Sequence, residues 1–201
     1  MTAERPGNAD RRLAHTDVET LLIGAAGVGA VLASLVAAPG WSGAGGAALA
    51  GLMTAIAIVD RRRLVIPDEL NGAAFIAGLA VAGLWSGAGR EEAILISLLR
   101  ASLMFGLFFV FRITYRRARG VEGMGLGDVK LAAVAGAWLD WAWLPVAVDM
   151  AALSALAVVL VRRLRGAGLD PKARLPFGAY FAPAIWICWL LAAMLGDLAL
   201  N

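Results

Sequence analysis

The segment AILISLLRASLMFGLFFVFRITYRRARGVEGMGLGDVKLAAVAGAW, residues 93–138, runs from a long apolar stretch through Arg112, Arg116, Arg117 and Arg119 into alternating glycines, an aspartate and a second apolar stretch. Its first part, residues 93–111, is about as long as the 18 to 20 apolar residues a bilayer-spanning helix needs. The pattern recurs along the chain. Apolar runs read as helices at residues 21–38, 42–59, 70–88, 93–111, 128–139, 142–161 and 177–196. The fifth is short and crosses a bilayer only if its glycine-rich entry is helical or the bilayer is thinned. The expectation is therefore an all-α polytopic membrane helix bundle with six or seven spans. Composition agrees: 61% apolar residues, a mean hydropathy of +0.77 and 16% charged residues are far from a soluble domain. Abundant Gly and Ala allow close helix approach where lipid supplies no hydrophobic force between helices.

Positive charge sets the expected orientation. Basic residues precede the first run (Arg11, Arg12), follow the second (Arg61, Arg62, Arg63) and the fourth, and lie between the sixth and seventh (Arg162, Arg163, Arg165, Lys172, Arg174). The alternate loops hold one arginine and five of the seven tryptophans, which suits an outer interfacial belt. The amino terminus is then cytoplasmic, in a cytoplasmic (inner) membrane. Residues 1–20 read as a cytoplasmic polar tail and 21–201 as the transmembrane domain. A cleaved leader at 21–38 is disfavoured by the length of that run and by Asp17 and Glu19 before it. The arginines fall in loop clusters that topology and anionic membrane lipid explain, so a nucleic-acid partner is not expected despite a pI near 9.6.

Cys188 is the only cysteine and His15 the only histidine. A disulfide, a cysteine-based zinc cluster and the serine–histidine, cysteine–histidine and HExxH mechanisms lack their essential groups. The GxGxGD glycines lack the GK[ST] of a P-loop, and no metal or organic cofactor is expected. Hydrolytic chemistry falls to carboxylates.

Asp60 closes the second run and Asp128 opens the fifth, so both are expected at the same, cytoplasmic, face. Two carboxylates meeting there can share one proton near neutrality. One can then take a proton from water while the other polarises a carbonyl and helps the amine leave. A turn without Cβ atoms, at Gly123, Gly125 and Gly127, lets a neighbouring backbone come close. Spacing alone leaves a structural reading open, with Asp128 as a helix cap and Asp60 as a helix end held by arginines.

DRRRLVIPDELN (residues 60–71) followed by EGMGLGDVKLAAVAGAW (residues 122–138) resembles the paired signature of the type IV prepilin peptidases, membrane aspartyl proteases of the GxGD class. The likeness covers residues 42–190, with LPFGAYFAPA (175–184) resembling a late PFGP-like segment in which Ala179 replaces a frequent proline. It implies catalytic roles for Asp60 and Asp128, and site-shaping roles for Gly125, Gly127, Lys130, Pro67 and Asp68. The implied activity is an aspartyl endopeptidase cleaving the leader of type IV prepilins or pseudopilins at the cytoplasmic face. Long members insert a cysteine-bearing domain where APGWSG (38–43) joins two helices here, so N-methyltransferase activity is not expected. Arg61, Arg62, Arg63 and Lys130 would repel a basic leader, which leaves Asp68, Glu69 and Glu122 as candidate leader contacts.

The alternatives are a small ion-coupled transporter and a noncatalytic scaffold. The transporter rests on Asp149, read as mid-helix in the sixth run. Arg100, near the middle of the fourth run, is its expected structural partner.

Overall fold

The computed structural model describes residues 8–38, 40–85, 89–166 and 176–196. Readings that fall on Pro39, Lys172, Arg174, Leu175 and both chain ends lie outside them. Seven helices follow in order: α1 (Asn8–Ala37), α2 (Trp41–Arg63), α3 (Asp68–Trp85), α4 (Arg90–Arg119), α5 (Leu126–Trp138), α6 (Trp143–Leu164) and α7 (Gly178–Met194). Helix ends follow local chemistry. Pro67 and the acids Asp68 and Glu69 open α3, while arginines fill the last turns of α2, α4 and α6, complementing the helix dipoles. The chain leaves α4 at Gly120, which takes a left-handed φ of 70° and donates its N–H to the Arg116 carbonyl.

The bundle is organised around α5. It packs on α3, α4 and α7, α2 packs on α1, α3 and α7, and α6 covers the far side of α7. Nearly every α5 residue after Asp128 is buried, including Val129, Leu131 and Val134. Leu49, Met53 and Ile56 of α2 and Phe181 and Ile185 of α7 complete the core, with Phe181 stacked on Phe108 at 5.7 Å. The outward faces of α1, α4 and α6 expose apolar residues at helical spacing: Val28, Leu32 and Val36; Leu99, Leu103, Leu107 and Val110; Leu153, Leu156 and Leu160. Such stripes are stable only in lipid. Four helices, α1, α2, α4 and α6, are long and apolar enough to cross a membrane. At 1.5 Å per residue, the 13-residue α5 reaches only about 20 Å, short of a hydrocarbon core of about 30 Å. The chain is thus an all-α, multi-pass membrane bundle.

Three sequence expectations change. Residues 8–20, read as a tail, belong to the helical backbone of α1. Its lower turns tie to the end of α2: Arg61 pairs with Glu19 at 3.1 Å, and Arg62 pairs with Asp17 at 3.7 Å and donates to Thr20 at 3.0 Å. The tryptophan belt is also incomplete. Trp41 and Trp141 are exposed, but Trp138 is buried and donates its indole N–H to the Ala74 carbonyl at 2.8 Å.

The third change concerns Arg100. Its partner is Asp140, just beyond α5, and its Nη2 also donates to Ser97 Oγ at 3.1 Å. Asp149 lies in the second turn of α6 with an exposed side chain. The reason is the shortness of α5. The helix ends part-way along α4, about 15 Å from Arg90, so the acid that follows it meets an arginine in mid-helix. Removing one partner leaves a largely buried charge. Arg100→Met is expected to destabilise the folded protein by about 3 kcal/mol, and adding Asp140→Leu to recover most of that loss. Asp149→Asn should leave the unfolding midpoint unchanged, all three read by thermal unfolding in one detergent.

Candidate active site

Asp60 lies one turn before the end of α2 and is 5% exposed. A carboxylate so buried requires donors. The start of α7 supplies one: the Ala179 N–H donates to Asp60 Oδ2 at 2.9 Å, and Gly178 lies so close that an added Cβ would be 3.0 Å from the same oxygen. The donor is a free N–H group of a helix N-terminus, where the macrodipole favours negative charge.

Asp128 occupies the first turn of α5, outside the four spanning helices. Its Oδ2 accepts the Gly125 N–H at 3.1 Å, which is half of a capping box, since Gly125 has no side chain to reciprocate. Asp60 lies close enough for its charge to act on Asp128, and Gly178 borders Asp60, where an added Cβ would be 3.0 Å from Oδ2. Burial, and then the charge of Asp60, push the Asp128 carboxyl up to about 6, against the pull of the Gly125 and Gly178 N–H groups. A neighbouring carboxylate raising a buried acid in this way is what two acids sharing one site produce.

Ile66 packs where these helices meet. After Leu64, which closes α2 in a left-handed conformation (φ 54°) with its N–H on the Asp60 carbonyl, the chain doubles back and buries Ile66. A Cβ at Gly127 would lie 3.0 Å from Ile66 Cβ; one at Gly178 would lie 2.6 Å from Ile66 Cδ1 and 3.0 Å from Asp60 Oδ2. A side chain at either glycine would force Ile66 to shift from between α5 and α7. The α3 side is held by buried Asn71, whose Nδ2 donates to the Gly127 carbonyl at 3.2 Å. Lys130 bridges to Asp68 at 2.7 Å, joining the Pro67–Asp68 turn to α5.

The candidate leader contacts differ in their surroundings. Asp68 is engaged by Lys130, and Glu122 accepts from Arg112 at 3.0 Å and Arg116 at 3.4 Å. Glu69 is exposed and has no ion-pair partner among the described residues. No group of three or more His, Cys, Asp or Glu able to hold a metal occurs among the described residues. Sequence reasoning missed Gly178, Ala179, Ile66 and Asn71. The FG of LPFGAYFAPA was the available signal for the first two. A backbone N–H leaves no mark in a sequence, and Ile66 is indistinguishable there from its apolar neighbours.

The type IV leader peptidase family model matches residues 47–161, more than half of the chain, and includes both Asp60 and Asp128. The prepilin leader peptidase/N-methyltransferase of Burkholderia pseudomallei is 36% identical over 77% of this chain and 49% of its own length. That of Aeromonas hydrophila is 28% identical over 80% and 53%, respectively. Leader peptidase HopD of Escherichia coli is 34% identical over 62% of this chain and 78% of its own. The chain spans about half the length of the bifunctional relatives. No solved structure matches it. With the family match, the identity to HopD across most of that protein, and the two acids brought together in a membrane bundle, the chain belongs to the type IV leader peptidase family.

Proposed function

We propose that this chain is an aspartyl endopeptidase that cleaves the leader from type IV prepilins or related pseudopilins, with Asp60 and Asp128 as its catalytic pair. The observation that carries the reading is the proximity of the two acids: the charge of Asp60 raises the Asp128 carboxyl, while the Ala179 and Gly125 N–H groups donate to Asp60 and Asp128, respectively. The curated relatives carry prepilin leader peptidase names, which supports the substrate class.

In the proposed mechanism, a water between the carboxylates gives its proton to the ionised acid as its oxygen attacks the scissile carbonyl carbon. The protonated acid donates to the carbonyl oxygen. Collapse of the tetrahedral intermediate passes a proton to the leaving nitrogen and breaks the C–N bond. Asp128 is the better candidate for the protonated member, because burial and the charge of Asp60 push its carboxyl up to about 6. Gly125, Gly127, Lys130, Pro67 and Asp68 shape the site around Asp128.

The peptidase core is residues 42–190, and the chain crosses the membrane seven times when α3, α7 and the short α5 are counted with the four long helices, or six times without α5. The site faces the cytoplasm, on the basic side of the bundle. Pairing of Arg61 and Arg62 with the acids of α1 reduces the repulsion of a basic leader, and Glu69 is the acid left free to attract it.

In matched lipid preparations, the purified protein is expected to release a leader peptide from a synthetic prepilin, with the new amino terminus identified by mass spectrometry. Asp60→Asn and Asp128→Asn should each lower kcat by about 1,000-fold or more, and the double variant should be scarcely worse, because one broken member disables the pair. Substantial turnover by either single variant would remove the pair from the mechanism. Gly178→Ala should lower cleavage by about tenfold or more, since its methyl meets Asp60 and a 1 Å displacement is costly. Ile66→Val, which deletes the colliding Cδ1, should restore part of the stability lost. For topology, single cysteines at Val65 and Val121 in a Cys188→Ala background should label from the cytoplasmic side, and one at Glu91 from the outside. The reverse pattern would overturn the orientation.

A further inference from the structure

Arg112, Tyr115 and Arg116 lie on one face of the last turns of α4, at the helical spacing that stacks side chains on one another. The loop leading to Asp128 rests on this face. Arg112 Nε donates to the Met124 carbonyl at 3.1 Å, and its Nη2 to Glu122 at 3.0 Å. Gly123 lies against the Tyr115 ring so closely that a Cβ there would be 2.5 Å from two ring carbons.

The Met124 carbonyl and the Gly125 N–H belong to one peptide group. In a planar trans peptide they point in opposite directions, so fixing the first aims the second. Arg112 holds the carbonyl, and the Gly125 N–H holds Asp128 Oδ2 at 3.1 Å. A half-turn of this peptide plane would present the carbonyl oxygen to the Asp128 carboxylate and remove its donor. Gly125, without a Cβ, offers little resistance to that rotation. We propose that Arg112 is a positioning residue for Asp128, locking the 124–125 peptide plane with its N–H toward the carboxylate, and that Glu122 holds Arg112 in place rather than binding the leader.

The guanidinium suits the task because its planar fork reaches the carbonyl and the carboxylate together, whereas an ammonium is a single point of charge. The Arg112 side chain is 19% exposed, so its bonds are only partly screened by solvent. Arg116 is an outlying partner, 3.4 Å from Glu122 and largely exposed.

The inference rests on the peptidase reading for its kinetic arm and is independent of it in its structural arm. Prepilin cleavage and residue-resolved hydrogen exchange are to be measured for the full chain in lipid nanodiscs. Arg112→Gln should lower kcat by about 10- to 100-fold with KM within about twofold of wild type, the signature of misplaced chemistry rather than lost binding. Arg112→Lys should recover part of kcat. Glu122→Gln should lower kcat less, non-additively with Arg112→Gln, and leave KM unchanged. Arg117→Gln, which removes a charge from the exposed side of the same helix, is the control expected to match wild type. In parallel, the Gly125 amide should exchange about tenfold faster or more in Arg112→Gln.

Unchanged kcat and unchanged Gly125 exchange in Arg112→Gln would overturn the proposal. So would a rise in KM with kcat retained in Glu122→Gln, which would return Glu122 to the leader. If Arg112→Gln does not fold, Arg112→Lys and Glu122→Gln decide by the same two readouts. Failure of the wild type to cleave would sink the peptidase reading, while the exchange measurement would still accept or reject the clamp.

Discussion

The bond between the N-terminus of α7 and Asp60 governs the arrangement of this protein. A carboxylate buried at the end of a helix costs several kcal/mol unless charge-assisted hydrogen bonds offset its desolvation. The Ala179 N–H supplies such a bond. It can do so only if α7 starts against the end of α2, and a Cβ at Gly178 would crowd Ile66 and Asp60 in that approach. Ile66 also borders Gly127, so α5 begins against the same side chain. The start of α7 lies beyond residue 161, where the family match stops, although both acids lie within it.

A second constraint is the shortness of α5. The helix has 13 residues among neighbours of up to 30, and each end is put to use. At one end its first turn carries Asp128. At the other, the chain emerges beside the middle of α4, where Asp140 meets Arg100 and a charge that would be costly in lipid is paired within the bundle. An arginine in an apolar helix thus marks the level at which its neighbour stops. Asp149, exposed on α6, has lost the internal position on which the transporter reading depended.

The loop between α4 and α5 leads into Asp128 and is held from outside itself. Arg112 and Tyr115 of α4 grip residues 122–124, while Asn71 of α3 grips Gly127. Contacts on rigid helices thereby replace the order a loop does not generate alone. The alternating glycines serve different neighbours: Gly123 admits an aromatic ring, Gly127 admits Ile66, and Gly125 contributes its N–H.

Much of this was legible in the sequence, because lipid imposes constraints that are local in the chain. Seven apolar runs gave seven helices among the described residues, all but α1 and α4 within about four residues of their expected bounds, since a segment buried in hydrocarbon must satisfy its own backbone hydrogen bonds. The loop charges and the two signature stretches singled out Asp60 and Asp128, because ionisable groups at the ends of apolar helices are few. What the sequence withheld depends on contacts across helices. That residues 8–20 continue α1, that Trp138 is buried, and that Arg100 meets Asp140 rather than Asp149 follow from packing and relative helix length, which no single segment encodes. The donors of the site are backbone N–H groups, which every residue but proline carries. Only the tertiary structure decides that those of Gly125 and Ala179 are the ones aimed at the two acids.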